Sequence, residues 1–330
     1  MKKVTIRDVA SIAGVSISTV SRVIAGKNLV NPATVLKVQE AIEQTGFQPN
    51  YTARALATKS TDTIGVIIDR APALSLKNSY FVNILESIAT ELSKYEKDML
   101  LLFADEKENH REDERVRRLI NSKKIDGVIK LSVKKDDKTI RFLQESETPT
   151  VVIGSPDDQR GIICVDNDNV KAMKGVIEYL INQGNKKIAY VGGNLDYIVS
   201  QKRKLGYELA MSEHKLPFGE SDIYFTDFTI DSGYEIAKDL LHKDYDAIAC
   251  TDDLIAVGIA NRYLEEGKTI NLSGFNNTYY AAFSKLPITT VDINVNELGF
   301  KAVEQLINKL NNNHYASNSF IETNIITREI

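Results

Sequence analysis

The residues best able to bind a charged partner are concentrated in the first sixty positions of this 330-residue chain. That stretch carries eight Lys and Arg against three Asp and Glu, a net charge of +5, while the remaining residues carry −9. Clustered Lys and Arg neutralise the phosphates of nucleic acids, whereas an acidic surface is repelled by them. Ser18, Thr19, Ser21 and Arg22 lie close together there, and a guanidinium such as that of Arg22 can bind guanine through two hydrogen bonds. This pattern predicts a nucleic-acid-binding segment attached to an acidic body.

A second set of polar residues follows short apolar runs in the acidic body. Asp69, Ser132, Asp252 and Asn276 each come just after a strand-like run, and Phe228 follows another. Carboxylates and amides bind paired hydroxyl groups, and an aromatic ring covers the apolar C–H face of a sugar. The set therefore suits a polyhydroxylated ligand. Structural alternatives remain open, since Phe228 could be a core aromatic residue and Asp252 could cap a helix.

Signatures of several other protein classes do not occur in this sequence. It has no G-x-S-x-G, P-loop or G-x-G-x-x-G string, and its four histidines show no metal-ligand spacing. We therefore expect no enzyme activity, no cofactor and no metal. Cys164 and Cys250 lie in apolar runs and are expected to be buried thiols. Arg7 and Asp8 interrupt any apolar signal sequence, and no run of about eighteen apolar residues exists, which favours a cytoplasmic protein that does not enter a membrane.

Three short helices must position the basic residues of the first segment. Thr5 with Asp8 forms a capping pattern that predicts the start of the first helix, whose apolar face would be Val9, Ile12 and Ala13. A glycine and a serine separate it from a second helix that runs to about residue 25, and an Asn-Pro pair begins a third. Two short helices joined by a glycine-containing turn form a helix-turn-helix, whose second helix enters the major groove of DNA.

The rest of the chain alternates apolar strand-like runs with amphipathic helical stretches. Such alternation builds parallel sheets with helices on both faces, and ligands collect beyond the carboxyl ends of the strands. The runs divide into two such units, joined near residues 155–165 and crossing back near 285–295. The strands are predicted at Ile64–Ile68, Met99–Phe103, Gly127–Leu131, Thr150–Ile153, Ile162–Val165, Lys187–Val191, Asp222–Phe225, Ala247–Cys250, Ile270–Gly274 and Thr289–Asp292.

The first segment resembles the headpiece of LacI/GalR-family transcription regulators, with four matching strings in the family order and spacing. They are Thr5-Ile-Arg-Asp-Val-Ala, Ala13-Gly-Val-Ser16, Ser18-Thr-Val-Ser-Arg-Val23 and Gly46-Phe-Gln-Pro-Asn50. The resemblance implies an α/β protein with an all-α helix-turn-helix headpiece at 1–49 and a hinge at 50–60. At 61–330 it implies a periplasmic-binding-protein-like body of two doubly wound parallel-sheet subdomains. These subdomains are expected at about 61–160 with 285–320, and at 161–284 with 321–330.

The same resemblance implies roles for individual headpiece residues. Ile17 and Ser18 match positions that read base edges, while Thr19, Ser21 and Arg22 match positions that contact bases or the DNA backbone. Residues 50–57 match a hinge helix that is too short to stay folded alone, and its leucine matches one that such proteins wedge into the minor groove. The remaining predicted DNA contacts are Thr5, Ser16, Asn31, Asn50, Arg54 and Leu56.

In the body, the resemblance implies a ligand cleft between the two subdomains. Arg203 stands where the family has its main ligand-anchoring arginine. Phe228 matches a residue that stacks on a sugar ring, and Asp252 and Asn276 match positions that bind hydroxyl groups. The predicted ligand-binding set is completed by Asp69, Lys77 and Ser132.

Two loops of the body bear on which ligand is bound. Residues Lys77–Phe81 resemble the loop found in regulators of maltose and related α-glucosides from low-GC Gram-positive bacteria. Between Gly267 and Gly274, however, the chain is shorter than the usual family loop. We therefore expect the nearby edge of the cleft to differ from the family pattern, which bears most directly on Asn276.

Taken together, these features favour a ligand-regulated transcriptional repressor over a sugar receptor or transport protein, which would need a signal peptide and no basic headpiece. The expected partners are double-stranded operator DNA, a small sugar and a second copy of the chain. A homodimer is expected because two-fold symmetry doubles the contacts on a pseudo-palindromic operator. Sugar could release the protein from DNA, or a co-repressor metabolite or protein could tighten it, since coupling permits either sign. The loop resemblance favours release by sugar.

Overall fold

The computed structural model describes residues 4–24, 30–47, 60–103 and 111–328. The chain divides into two units, Met1–Asp62 and Thr63–Ile330, which we call the headpiece and the body. Within the described residues the headpiece has three helices: α1 (Ile6–Ala13), α2 (Ile17–Ile24) and α3 (Pro32–Thr45). The predicted helix-turn-helix is therefore present.

Local hydrogen bonds and backbone conformation set the ends of the headpiece helices. The Thr5 amide donates to the Asp8 carboxylate at 2.8 Å, which closes the predicted capping box of α1. Gly14 and Gly46 take the left-handed conformation, with φ of 66° and 62°, and so end α1 and α3. The three helices enclose a small core of Val9, Ala10, Val20, Val38 and Ala41.

One predicted core position in the headpiece is wrong. The side chain of Ile12 is 54% exposed, whereas Val9 and Ala10 are buried and Ala13 packs against the core. The inner stripe of α1 runs through Ile6, Val9, Ala10 and Ala13, and this helical spacing leaves position 12 on the outer side.

Two six-stranded sheets form the centre of the body. Neighbouring strands run parallel, except that β12 is antiparallel to β10. The first sheet has the order β11-β5-β4-β3-β1-β2 and the second β12-β10-β9-β8-β6-β7. The strands are β1 (Thr63–Ile68), β2 (Asp98–Phe103), β3 (Gly127–Leu131), β4 (Thr150–Ile153), β5 (Ile163–Asp166), β6 (Ile188–Gly192), β7 (Ile223–Phe225), β8 (Ala247–Cys250), β9 (Asn271–Phe275), β10 (Ile288–Asp292), β11 (Asn318–Phe320) and β12 (Asn324–Ile326).

Helices cover the sheets of the body, as the alternating pattern predicts. Most central strands are buried along their whole length, because a parallel sheet with helices on both faces leaves neither face in water. The helices are α4 (Pro72–Ser75), α5 (Ser79–Lys94), α6 (Arg111–Asn121), α7 (Lys138–Glu145), α8 (Asn169–Asn182), α9 (Ile198–Glu213), α10 (Ile230–Leu240), α11 (Asp253–Glu265), α12 (Tyr279–Ala282) and α13 (Val295–Leu310). All ten predicted strands are present within one residue of their predicted ends.

The predicted subdomain boundaries are wrong at two strands. β5 was expected in the second subdomain, but it pairs with β4 and β11 in the first sheet. β10 was expected in the first subdomain, but it pairs with β9 and β12 in the second sheet. Both strands are short and largely buried, and their composition does not reveal which sheet completes their hydrogen bonds.

The chain therefore crosses between the sheets just after β5, just after β10 and between β11 and β12. Asn167, Ile293 and Ile321 lie on these three crossing segments. The side-chain amide of Asn167 donates to the carbonyls of Ile293 and Ile321 at 3.1 and 2.9 Å, and so links the three segments. Cys164 and Cys250 are buried thiols, as predicted. None of the described helices is both long enough and apolar enough to cross a bilayer.

Candidate functional site

The exposed face of α2 carries most of the predicted DNA contacts. Ser16 begins this helix, since its hydroxyl accepts a hydrogen bond from the Thr19 amide at 3.1 Å. The face presents Ile17, Ser18, Ser21 and Arg22 to solvent, with Thr19 half-buried beside them. On the opposite side Val20 is completely buried in the headpiece core, which fixes the rotation of the helix. The structure thus brings five predicted contacts onto one surface.

The remaining predicted DNA contacts fall into two groups. Thr5 and Asn31 are exposed caps at the beginnings of α1 and α3, and the side-chain oxygen of Asn31 accepts from the Ala33 amide at 2.9 Å. Helix beginnings present unpaired backbone N–H groups and a partial positive charge, which suit a phosphate. The predicted hinge contacts Asn50, Arg54 and Leu56 lie outside the described residues.

A cleft of about 750 Å³, partly open to solvent, lies where the strands of both sheets end. Five of the seven predicted ligand-binding residues line it, namely Ser132, Arg203, Phe228, Asp252 and Asn276. The first sheet contributes the loop after β3, and the second contributes the loops after β7, β8 and β9. This is the edge at which open parallel sheets bind their ligands.

Arg203 lies deep in the cleft wall on α9 and is only 7% exposed. Its Nε donates to the Asn169 side chain at 2.9 Å, and one terminal nitrogen donates to the Thr251 carbonyl at 2.6 Å. Its guanidinium carbon lies 3.5 Å from the centre of the Phe275 ring. Burial lowers the pKa of Arg203 to about 10, so the group still carries its charge at neutral pH. A buried, oriented cation of this kind can anchor an oxygen-rich ligand.

Asp252 caps a helix, as one of the two alternatives predicts, and it also lines the cleft. One carboxylate oxygen accepts from the Leu254 amide at 2.8 Å, which begins α11. The other accepts from the side-chain amide of Asn276 at 3.0 Å and lies 3.5 Å from that of Asn78. Burial raises the pKa of Asp252 to about 6, against the lowering effect of the Leu254 amide and of Arg203.

Phe228 forms part of an aromatic wall. Its ring lies 6.2 Å from that of Tyr197, at 77°, and the Arg70 guanidinium approaches the Phe228 ring to 4.4 Å. A Cβ atom at Gly193 would overlap the Phe228 ring, so a larger residue there would force the ring to move. Phe228 therefore lines the cleft, but a guanidinium covers one part of its surface.

Two predicted ligand-binding residues are not brought into the cleft wall. Asp69 is 6% exposed and its carboxylate is paired with the fully buried ammonium of Lys130, which also lies 3.1 Å from Asp137. Burial raises the pKa of Asp69 to about 6 despite this partner. Lys77 is exposed on the loop before α5 and does not line the cleft. A position just after a strand therefore does not show whether the side chain of that residue reaches the cleft.

Several polar residues that line the cleft are not in the predicted ligand-binding set. Lys202 Nζ lies 3.2 Å from Asp166, whose carboxylate also accepts from Ser155 and from Asn169, at 2.8 and 3.0 Å. Asp166 ends β5, and its place after an apolar run makes it a strand-end candidate from the sequence. Asn169 is the first residue of α8 and Lys202 the fifth of α9, and the sequence pattern of a helix gives no indication of a cleft there.

Comparison with known families identifies the class of this protein. Residues 61–328 match the family described as periplasmic binding proteins and sugar binding domain of LacI family, and residues 5–50 match bacterial regulatory proteins of the lacI family. The chain therefore belongs to the LacI family of DNA-binding transcriptional regulators that carry a sugar-binding domain. The known proteins that this chain resembles are transcriptional regulators, not enzymes.

Individual relatives cover nearly the whole chain. The HTH-type transcriptional regulator MalR of Streptococcus pneumoniae serotype 4 is 33% identical over 94% of each chain. Catabolite control protein A of Priestia megaterium is 32% identical over 97% of this chain and 96% of its own. A solved structure of the transcriptional regulator CelR in complex with cellobiose is 26% identical, covers 99% of both chains and superposes with a TM-score of 0.76. The lac repressor dimer bound to operator, at 21% identity, 99% and 98% coverage and a TM-score of 0.86, supports the same fold.

Proposed function

We propose that this regulator is a repressor that binds its operator as a homodimer and is released by a small sugar, with maltose or a related α-glucoside as the candidate effector. The observation that carries the proposal is the convergence of Ser132, Arg203, Phe228, Asp252 and Asn276 on one cleft. Hydroxyl-binding groups beside an aromatic ring suit a sugar. The relatives named MalR support the choice of maltose.

The DNA-binding half of the proposal rests on the exposed face of α2. Serine and threonine hydroxyls with one arginine can contact phosphates and base edges when a helix enters the major groove. In this proposal Leu56 wedges the minor groove and Asn50 and Arg54 contact DNA near it, as in the family that the chain belongs to.

Dimerisation is supported by exposed apolar side chains of the body. Leu74, Leu76 and Val82 are 44–55% exposed around α4 and α5, and Tyr279 and Phe283 are 69% and 71% exposed around α12. Clusters of exposed apolar residues mark surfaces that bind another protein. A second copy of the chain is the proposed occupant, because an operator with two half-sites is matched by a two-fold protein.

The DNA half is tested by fluorescence anisotropy on genomic fragments upstream of sugar-utilisation genes, with random duplexes of equal length for comparison. Arg22→Ala should weaken specific binding by about 1–3 kcal/mol, the usual worth of a bidentate base contact. Lys37→Ala, an exposed lysine on α3, is the matched control and should change specific and random binding equally. Equal affinity of the unmodified chain for all fragments, with and without sugar, would refute the repressor proposal.

The sugar half is tested on the same operator. Adding the effector should lower operator affinity by about 1–3 kcal/mol, the usual range of coupling between two sites. Arg203→Ala should abolish this response while operator binding survives, because the anchoring cation of the cleft is gone. Lys204→Ala is the control, since Lys204 is the next residue of α9 and pairs with Glu208 instead. Tighter operator binding on sugar addition would identify a co-repressor and overturn the proposed release.

A further inference from the structure

The cleft is lined by a cation, Arg70, that the predicted ligand-binding set does not include. Arg70 follows β1 by two residues and lines the cleft. Its guanidinium carbon lies 4.4 Å from the ring centres of both Tyr197 and Phe228, and 5.5 Å from that of Phe81. Aromatic faces attract a cation and restrict its movement, so these rings hold the guanidinium in place within the cleft.

Among the described residues, Arg70 differs from the other cations of the cleft in having no polar partner. Within the described residues its Nε is buried without a hydrogen bond, and the guanidinium makes no ion pair. Arg203, by contrast, donates to a side-chain amide and a carbonyl, and Lys202 pairs with the Asp166 carboxylate. The donors of Arg70 are therefore still available, beside a ring that is suited to a sugar.

A ligand that fills the cleft would remove water from this guanidinium. Loss of water from a charged group is costly unless an opposite charge replaces it, and a neutral hydroxyl supplies no such charge. A phosphate or carboxylate does, and it matches the planar donors of arginine through two parallel hydrogen bonds.

We propose that the effector is an anionic sugar, and that Arg70 binds its phosphate or carboxylate group while the rest of the cleft binds its hydroxyls. This inference rests on the proposed function and narrows it, because it selects a phosphorylated or acidic α-glucoside over the neutral sugar. It makes Arg70 the residue that determines specificity for the charged group, and Arg203 the anchor for the sugar.

The test is isothermal titration calorimetry of the full chain with matched pairs of neutral and phosphorylated sugars. The pairs are glucose, maltose, trehalose and sucrose, each with its 6-phosphate form, and maltobionate adds a carboxylate. The phosphorylated member of the binding pair should bind at least about tenfold more tightly than its neutral partner, the worth of charge-assisted hydrogen bonds. Its affinity should also fall with added salt, since the contact is between charges.

Arg70→Met keeps much of the side chain's length and removes its charge, so it should erase the preference for the phosphorylated sugar while the neutral sugar still binds. Lys77→Met is the matched control, because Lys77 is an exposed cation of the same β1–α5 connection that does not line the cleft, and it should keep the preference. A neutral sugar that binds as tightly as its phosphorylated form, or a preference that survives in Arg70→Met, overturns the inference and leaves the proposed function standing. If no sugar of either kind binds, the proposed sugar control falls with it.

Discussion

The headpiece and the body of this protein are stabilised in different ways. In the headpiece a small apolar core is surrounded by helix ends that are capped within two or three residues of themselves, as Thr5 with Asp8 and Asn31 with Ala33 show. In the body, charged groups such as Lys130 and Arg203 are buried and are paired with groups far away in sequence. The headpiece thus keeps its polar groups at the surface, whereas the body buries charged groups, one of which, Arg203, lines the cleft.

The two regions should therefore lose stability in response to different kinds of mutation. Removing one apolar side chain or cap costs a small helical module a large share of its stability, because the whole module is only marginally stable. The body should tolerate such losses better, but it should be sensitive to any change that leaves a buried charge without its partner. Hydrogen–deuterium exchange reports the stability of the headpiece and of the body separately, so it can distinguish these effects.

The largest expected effect is that of Lys130→Met in the body. It leaves the buried carboxylates of Asp69 and Asp137 without their cation and should destabilise the body by about 3–5 kcal/mol, with the headpiece unchanged. Chemical denaturation gives the loss, and Lys138→Met, an exposed lysine on α7, should leave stability within about 0.5 kcal/mol. A Lys130→Met body as stable as that of the control would show that this buried charge cluster contributes nothing.

A pH dependence of the body should come next in size. Burial raises the pKa of Asp253 from 3.8 to about 7, so the folded state holds its proton more tightly than the unfolded chain does. The stability linked to this proton is fully present below pH 4 and is lost as the pH rises through 7. Asp253→Asn cannot ionise, so its stability relative to the unmodified chain should rise by the order of a few kcal/mol between pH 4 and pH 8. Denaturation at several pH values measures this difference, and a constant difference would contradict the prediction.

In the headpiece, Val38→Ala should have the largest effect. Val38 is fully buried in the core shared by the three helices, and removing two methyl groups there should cost about 2 kcal/mol. Because the headpiece is small, its exchange protection and operator binding should both fall sharply while the body keeps its protection. Leu36→Ala, at a position 60% exposed, should behave like the unmodified chain. Equal protection in the two variants would argue against the core described here.

The smallest expected effect is that of Asn31→Ala at the beginning of α3. It removes the side-chain oxygen that accepts from the Ala33 amide, and loss of such a cap costs about 1 kcal/mol. Exchange in the first turn of α3 should speed up, with no change in the body. Asn31→Asp keeps an acceptor and should restore protection; if it does not, the cap is not what holds this turn.

The comparison of the two regions also explains what could be predicted. The headpiece helices, their caps at Thr5, Ser16 and Asn31 and the exposed face of α2 follow from interactions between residues at most four apart, so the pattern contains them. The predicted apolar face of α1 wrongly includes Ile12. In so short a helix the sequence allows two apolar faces, one with Ile12 and one with Ala10, and the pattern alone does not choose between them. In the body, ten strands could be located because apolar runs between helical stretches are themselves local signals.

The sequence by itself determined the class of fold, the strands and helices, and the separation of a basic headpiece from an acidic body. Only the tertiary structure decided that Asp69 faces Lys130, 61 residues away, that β5 and β10 join opposite sheets from those expected, and that Arg70 stands between Tyr197 and Phe228. The physical reason is that propensity, capping and hydrophobic period act over a few residues. The partner of a buried charge is instead set by how strand ends from both sheets come together, and that is fixed only when the whole core packs.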